Sequence, residues 1–311
     1  MTTVYGPVPS KRLGQSLGVD PIPAKTCNYN CVYCQLGHTT PLTNERKDFF
    51  PPQDILAELQ GVLTTPRPPR IDYVTFVGQG EPLLCASLGW LIRRVKDITD
   101  IPVAVITNGS LLSLSEVREA VSPADILMPT LDAADQETFR RINRPWPRLH
   151  IADIIQGMVA FRDEFEGQLW VEVMLVRGLN DDETTLLGIG DALAQIKPDQ
   201  VHVNVPVRPP AEAWVRPPDE EGLMRAVAIL GDIAQVIMPY EGAFSLADDV
   251  PVTEAIEQII RRHPMRESEL LTTLADRVPP AQIQETLRAM ETSGQARCIE
   301  YRGHRFWKYA E

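Results

Sequence analysis

Residues 26–34 read TCNYNCVYC, so Cys27, Cys31 and Cys34 fall in a Cys-x3-Cys-x2-Cys spacing that can bring three thiolates from one loop onto a single compact metal centre. Five cysteines is an odd number, and three of them crowd into eight residues, which is not the pattern of a secreted disulfide framework. An iron–sulfur cube has four irons, so three local thiolates leave one iron open to a small exogenous molecule unless a distant cysteine closes it. Structural zinc is the alternative, and it needs a fourth protein ligand such as His38 or Cys85. Cys85 and Cys298 have no neighbouring cysteine and read as ordinary buried thiols.

Outward from this loop, short β-rich runs alternate with segments of helical period as far as residue 249, the pattern of parallel strands joined by crossover helices. Strands are expected at 71–77 (IDYVTFV), 103–107 (VAVIT), 126–131 (ILMPTL), 169–176 (LWVEVMLV) and 201–207 (VHVNVPV), with a weaker sixth at 235–238. Ile55, Leu59 and Val62, then Leu88, Leu91, Ile92 and Val95, recur at helical spacing and give stripes to lay on a sheet. The strands end in GQGEP, NGS and RGLND, and the ends of parallel strands are where such sheets place their chemistry. The proline-dense PVRPPAEAWVRPP at 206–218 reads as an extended surface arm.

After residue 250 the style changes to three short amphipathic helices, at 252–262, 266–275 and 280–293, and two strands round an Arg302-Gly303-His304 turn. That outline is a winged helix-turn-helix. Two domains are therefore expected, 1–249 and 250–311. The chain has a net charge of −12, all of it before residue 250, because the last segment carries nine basic and nine acidic side chains. An acidic chain of this kind is not a general nucleic-acid coat, although a local basic face remains open to it. No run approaches the ~20 apolar residues of a membrane span, and the N-terminus lacks the apolar stretch of a secretion signal, so a cytoplasmic protein is expected.

CNYNCVYC, with Tyr33 before the third cysteine, resembles the signature of the radical S-adenosylmethionine (SAM) enzymes. FVGQGEPLL at 76–84 resembles that family's glycine-glycine-glutamate stretch, and VITNGSLL and PTLDA follow in family order. The resemblance covers roughly residues 5 to 240. The opening YGPVPSKRLGQSLGVD, taken with PTLDA, is most similar to the wyosine-synthase-like group. No cysteine precedes Cys27, where true wyosine-base synthases carry a second cluster.

The resemblance implies an α/β fold, a partial parallel (β/α)6 barrel with a 4Fe–4S cluster and SAM at its C-terminal mouth. It implies reductive cleavage of SAM to a 5′-deoxyadenosyl radical that abstracts a substrate hydrogen. An external one-electron reductant of the flavodoxin or ferredoxin type is implied as well. Carried onto this chain, Cys27, Cys31 and Cys34 hold the cluster. Tyr33, Gly78, Gly80, Glu81, Asn108, Thr130, Asp132, Glu172 and Asn180 make the SAM site.

Several residues keep two readings. Asn108-Gly109 is also a strong turn former, and Asp132 could instead cap the helix beginning near 135. Glu172 interrupts an apolar strand and either meets a partner inside or points outward. His202 and Asn204 share a strand face and reach the lumen or are satisfied locally. Lys11, Arg12, Asp20 and Lys25 lie in a segment that covers the cofactor site, holds an anionic substrate or is a solvated loop. In the last domain Arg288, Arg297, Arg302, Arg305 and Lys308, with Phe306, Trp307 and Tyr309 for stacking, suit tRNA or another nucleic acid, and the same domain equally suits protein docking or dimerisation. Three functional classes follow: a radical SAM enzyme, with RNA modification as the leading substrate reading; an iron–sulfur sensor with a winged-helix output and no SAM turnover; or a structural zinc protein.

Overall fold

The computed structural model describes residues 2–10, 12–65, 70–237, 251–262, 264–275 and 277–310. The expected domain junction at 249/250 and the expected site residue Lys11 lie outside the described residues.

Eight strands form one sheet in sequential order. They are β1 (Val4–Ser10), β2 (Gly14–Val19), β3 (Tyr73–Phe76), β4 (Val103–Thr107), β5 (Ile126–Pro129), β6 (Gln168–Met174), β7 (Gln200–Asn204) and β8 (Ala234–Val236). β1 pairs antiparallel with β2, and every later pair is parallel. The helices that return the chain between parallel strands are α1 (Pro52–Leu63), α2 (Leu88–Ile98), α3 (Ser115–Val121), α4 (Gln136–Ile142), α5 (Ile151–Glu164), α6 (Glu183–Ile196) and α7 (Glu220–Leu230).

The six-strand expectation is corrected to eight, because β1 and β2 precede the cysteines in a stretch that composition does not mark as strand. VYGPVPS carries two prolines and a glycine, which an edge strand tolerates because half its backbone donors have no ladder partner. GQSLGV carries two glycines. Gly18 is glycine for a packing reason: a Cβ there would overlap the ring of Tyr5 on the neighbouring strand.

Alternation along the strands divides the sheet into two faces. Leu17, Val74, Val105, Leu127, Val171 and Val203 point outward into the layer beneath the helices, where α2 contributes Leu88, Leu91, Ile92 and Val95. Each such side chain, fully buried, contributes about 1.5–3 kcal/mol. The opposite face is concave. Leu13, Ala104, Ile126, Met128 and Trp170 fill its lower part, and Ser16, Thr75, Ile106, Thr130, Glu172 and Asn204 line a cavity above them.

The C-terminal segment is built as α8 (Val252–Arg262), β9 (Met265–Arg266), α9 (Glu267–Thr273), α10 (Pro280–Thr292), β10 (Ala296–Tyr301) and β11 (His304–Tyr309). The three strands make an antiparallel sheet in the order β10-β11-β9, over a separate core that includes Ile256, Leu270, Ile283, Leu287 and Trp307. The Arg302-Gly303 turn has positive φ at both positions, 52° and 75°, the geometry a two-residue hairpin needs. Phe306 and Trp307 are both 1% exposed, and Tyr309 lies beneath the Arg261 guanidinium. The stacking expected of Phe306 and Trp307 is therefore corrected: Trp307 packs in the C-terminal core, and Phe306, on the other face of β11, is buried against the cavity of the large sheet. Among the described residues no helix is long and apolar enough to cross a membrane.

Candidate active site

Most polar loops of the concave face follow the C-terminal end of a parallel strand; the β1–β2 connection, which carries Arg12, is the exception among those lining the cavity. β2 leads into the cysteine loop, β3 into Gly78–Glu81, β4 into Asn108, β5 into Thr130 and β7 into the proline-rich arm. These loops enclose a cavity of about 580 Å³ lined by Cys27, Cys31, Cys34, Tyr33, Gly78, Gly80, Glu81, Asn108, Thr130 and Glu172. That volume falls in the range of small-molecule sites.

The three thiols face this one cavity. Burial pushes Cys27 up to about 12 and raises Cys31 and Cys34, so as free thiols they are protonated and become thiolates only when a metal takes the proton's place. Cys27 Sγ accepts from the Tyr29 backbone N–H at 3.3 Å and from Asn108 Nδ2 at 3.8 Å, and Cys31 Sγ accepts from Asn143 Nδ2 at 3.6 Å. Among the described residues, no three His, Cys, Asp or Glu side chains converge tightly enough for a single ion. Cys85 is buried elsewhere, beside Ser87, and Cys298 lies in the C-terminal segment beside Arg305. Three thiols around one cavity, with no fourth cysteine or histidine lining it among the described residues, fit a cluster with one open iron better than a closed zinc site.

Glu81 is a tightly held carboxylate of the site. It is fully buried and accepts from Thr107 Oγ1 at 2.5 Å, the Asn108 N–H at 2.6 Å and the Leu83 N–H at 2.9 Å. Burial outweighs these bonds and lifts its pKa to about 7, so a cation arriving beside it would restore the charged form. The Gly80 position presses against the cysteine loop: the Glu81 N–H bonds the Thr26 carbonyl at 2.9 Å, and a Cβ on Gly80 would lie 2.6 Å from the Thr26 carbonyl carbon. A Cβ on Gly78 would meet Ile22 at 2.7 Å. Both glycines are needed for loop-on-loop approach, a reason invisible in the motif itself.

Two of the expected site residues do not line the cavity. Asp132 is buried behind it, its carboxylate accepting from Tyr33 Oη at 2.5 Å, Asn143 Nδ2 at 2.6 Å and the Met174 N–H at 2.8 Å. It thereby ties the cysteine loop to β6. The helix cap considered for it belongs to Asp135, which accepts from the Glu137 and Thr138 N–H groups at the start of α4. Asn180 is also buried; it accepts from the Val176 N–H and donates to the carbonyls of Asp132 and Met174. Asn108 does more than turn the chain, since it donates to Asn28 Oδ1 at 2.7 Å within the cysteine loop.

Glu172 points inward, with Arg12 from the β1–β2 connection as its ion-pair partner and Asn204 Nδ2 donating to it at 3.3 Å. Asn204 lines the cavity, whereas His202 lies below it, 1% exposed, against Trp170 and Gln200. Asn143 is the main residue that sequence reading missed. It ends an ordinary helix and carries no motif, yet it contacts Cys31, Tyr33 and Asp132.

Residues 22–187 match the radical SAM superfamily. The chain belongs to it. As a radical SAM enzyme it uses a 4Fe–4S cluster and SAM, and it needs an external reductant. A UPF0026 protein of Methanocaldococcus jannaschii is 35% identical over 314 residues, which span 99% of this radical SAM chain and 96% of that protein. A GTP 3′,8-cyclase of Limosilactobacillus fermentum is 29% identical over 160 residues, 50% of this chain and 45% of that one. Among solved structures, a radical SAM methyltransferase from Sphaerobacter thermophilus has the same fold, with a TM-score of 0.52 at 18% identity over 71% of this chain and 66% of that one.

Proposed function

We propose that this radical SAM enzyme binds its cluster through Cys27, Cys31 and Cys34 and its SAM between Tyr33, Gly78, Gly80, Glu81, Asn108 and Thr130, and that it removes a hydrogen atom from a substrate seated above Glu172. What the bound pair supplies is one-electron cleavage of SAM to a 5′-deoxyadenosyl radical, which abstracts the hydrogen. The protein's part is to hold and exclude. The observation that carries the reading is the meeting of three buried thiols and the tethered Glu81 carboxylate in one cavity.

Glu81, fixed by three donors, is oriented to receive the methionyl ammonium, and that cation keeps it ionised. Gly80 allows the glycine loop to lie on the cysteine loop, so the ammonium and the cluster ligands share one wall. Asn28, Asn108, Asn143 and Asp132 brace the cysteine loop from behind, with Asp132 and Asn180 acting as positioning residues of this site.

Residues 1–249 form the catalytic unit in this proposal and 250–311 a winged helix. The second assignment is supported by the order helix, strand, helix, helix, hairpin with the first strand paired to the last. The wyosine-synthase-like group and an RNA substrate in the cytoplasm are the finer reading. It is favoured by Arg288, Arg297, Arg302 and Arg305, all exposed on the last helix and hairpin.

Anaerobic reconstitution followed by reduction, addition of SAM and mass-spectrometric detection of 5′-deoxyadenosine tests the chemistry, beside a Cys27→Ala, Cys31→Ala, Cys34→Ala control. Product from the native chain alone is expected. A fully loaded cluster that binds SAM but gives no product, with or without tRNA, would favour the sensor. Electrophoretic shift with tRNA at two salt concentrations tests the RNA partner.

A further inference from the structure

One side of the cavity is made by residues with no part in holding cluster or SAM, and it is cationic. Arg208, in the arm after β7, lines it, as do Met265, Arg266, Glu269 and Phe306 of the C-terminal segment. The arm is held down: the Glu212 N–H bonds the Val32 carbonyl at 3.0 Å, Val215 is fully buried, and Tyr301 Oη donates to the Pro206 carbonyl at 3.0 Å. Arg208 is therefore fixed in place by both parts of the chain.

Its guanidinium has five N–H donors. Among the described residues it makes one hydrogen bond, from Nη1 to Gln35 Oε1 at 3.2 Å. Burial lowers its pKa; the nearest charges acting on it are Glu269, which favours its cation, and Arg266, which opposes it. Glu269 is partly engaged, since its Oε2 accepts the Arg266 backbone N–H at 2.9 Å. Lys25 and Lys308, the other cations nearby, act instead on Cys34 and donate to the carbonyls of His38 and Leu36. Deeper in, Arg12 and Glu172 neutralise one another. Arg208 and Arg266 thus line the same side of the cavity, with the Arg266 guanidinium over the Phe306 ring at 5.8 Å and Glu269 beside them, in a chain whose net charge is −12. Arg208 lines the cavity with most of its N–H donors unused among the described residues, and a planar fork of donors matches a carboxylate or a phosphate.

We infer that the substrate carries an oxyanion group, carboxylate or phosphate, seated between Arg208 of the sheet domain and Arg266 of the C-terminal domain. The C-terminal domain is then a wall of the substrate site. This deepens the proposed function and rests on its placing of the substrate above Glu172, while the site itself is defined by side chains independent of cluster and SAM.

The test is isothermal titration calorimetry of the anaerobic, cluster-loaded full chain with inorganic phosphate and, separately, with malonate, each with and without SAM. Saturable millimolar binding of one anion or both is expected, weakened at least tenfold by Arg208→Gln and by Arg266→Gln. Arg94→Gln, an exposed pair with Asp97, should leave it unchanged. Preference for phosphate or malonate identifies which oxyanion the substrate bears. Absence of binding, equal affinity in both folded variants, or competitive displacement by SAM overturns the inference. If Arg208→Gln is destabilised and unfolds at a lower temperature than the native chain, Arg266→Gln alone carries the comparison. 5′-Deoxyadenosine formation, measured on the same samples, reports separately on the radical chemistry, so either reading can fail without the other.

Discussion

Gly80→Ala isolates the reason a glycine stands beside the cysteine loop. A methyl group at Gly80 would lie 2.6 Å from the Thr26 carbonyl carbon and closer still to its oxygen, whereas ordinary contact begins at 3.4 Å. The gap must open by about 0.8 Å at the carbon and more at the oxygen, and both neighbours are backbone, which cannot swing away as a side chain would. Opening it stretches the bonds that close the two loops, Glu81 N–H to Thr26 at 2.9 Å and Lys25 N–H to Gln79 at 2.7 Å. Overpacking of this kind costs about 1–3 kcal/mol, and a weakened hydrogen bond roughly 0.5–1.5 kcal/mol, so a total loss of about 2–4 kcal/mol is expected. Gly61→Ala is the matched control. It sits within α1 with nothing inside 4 Å of the added carbon, and it should gain about 0.5–1 kcal/mol by helix propensity. Urea unfolding of the reduced, metal-free chain measures both, and iron content after anaerobic reconstitution reads any loosening confined to the loops. A Gly80→Ala protein with native stability and a full iron complement would refute the loop-on-loop argument.

Glu81→Gln keeps the shape but loses the charge and turns one accepting oxygen into a donor facing a backbone N–H, of Leu83 or of Asn108; SAM binding should weaken by about 10- to 100-fold with unchanged iron content, measured by equilibrium dialysis. Asp20 is buried with Oδ1 lacking a partner, and burial raises its pKa to about 6 from an ordinary 3.8. The raised value means the folded state holds its proton longer than the unfolded state, so this group's contribution is favourable at low pH and is lost as pH climbs from about 4 to 6. Urea titrations at several pH values should therefore show native stability falling relative to Asp20→Asn across that window, and parallel curves would sink the assignment. Trp307→Ala removes a side chain 1% exposed whose Nε1 donates to Glu267 at 2.9 Å; a loss of about 3–5 kcal/mol from the core of the C-terminal segment is expected, visible as an earlier transition in calorimetry.

Much of this protein was legible before folding. The Cys27, Cys31 and Cys34 spacing, the glycine-glutamate stretch ending β3, and the change of style after residue 250 are local signals, because ligand spacing, strand-end loops and helical period are properties of neighbouring residues. The parallel core strands could be marked for the same reason: β-branched and apolar runs on a sheet covered on both faces read as continuous apolar segments.

What sequence alone left undecided depends on residues far apart meeting. β1 and β2 look unlike strands, yet the edge position and the Tyr5–Gly18 contact make strands of them. Glu172 could point either way until the register of β6 turned it toward Arg12. Asp132 and Asn180 carry motif positions but sit behind the cavity, while Asn143 and Arg208 carry no motif and stand beside the cysteine loop and in the cavity wall. A thiol spacing is set along one loop, and so the sequence by itself determined that three thiols stand together; the surroundings of each charge are set by strands and segments far apart in the chain converging on one cavity, and so only the tertiary structure decided which side chains line it.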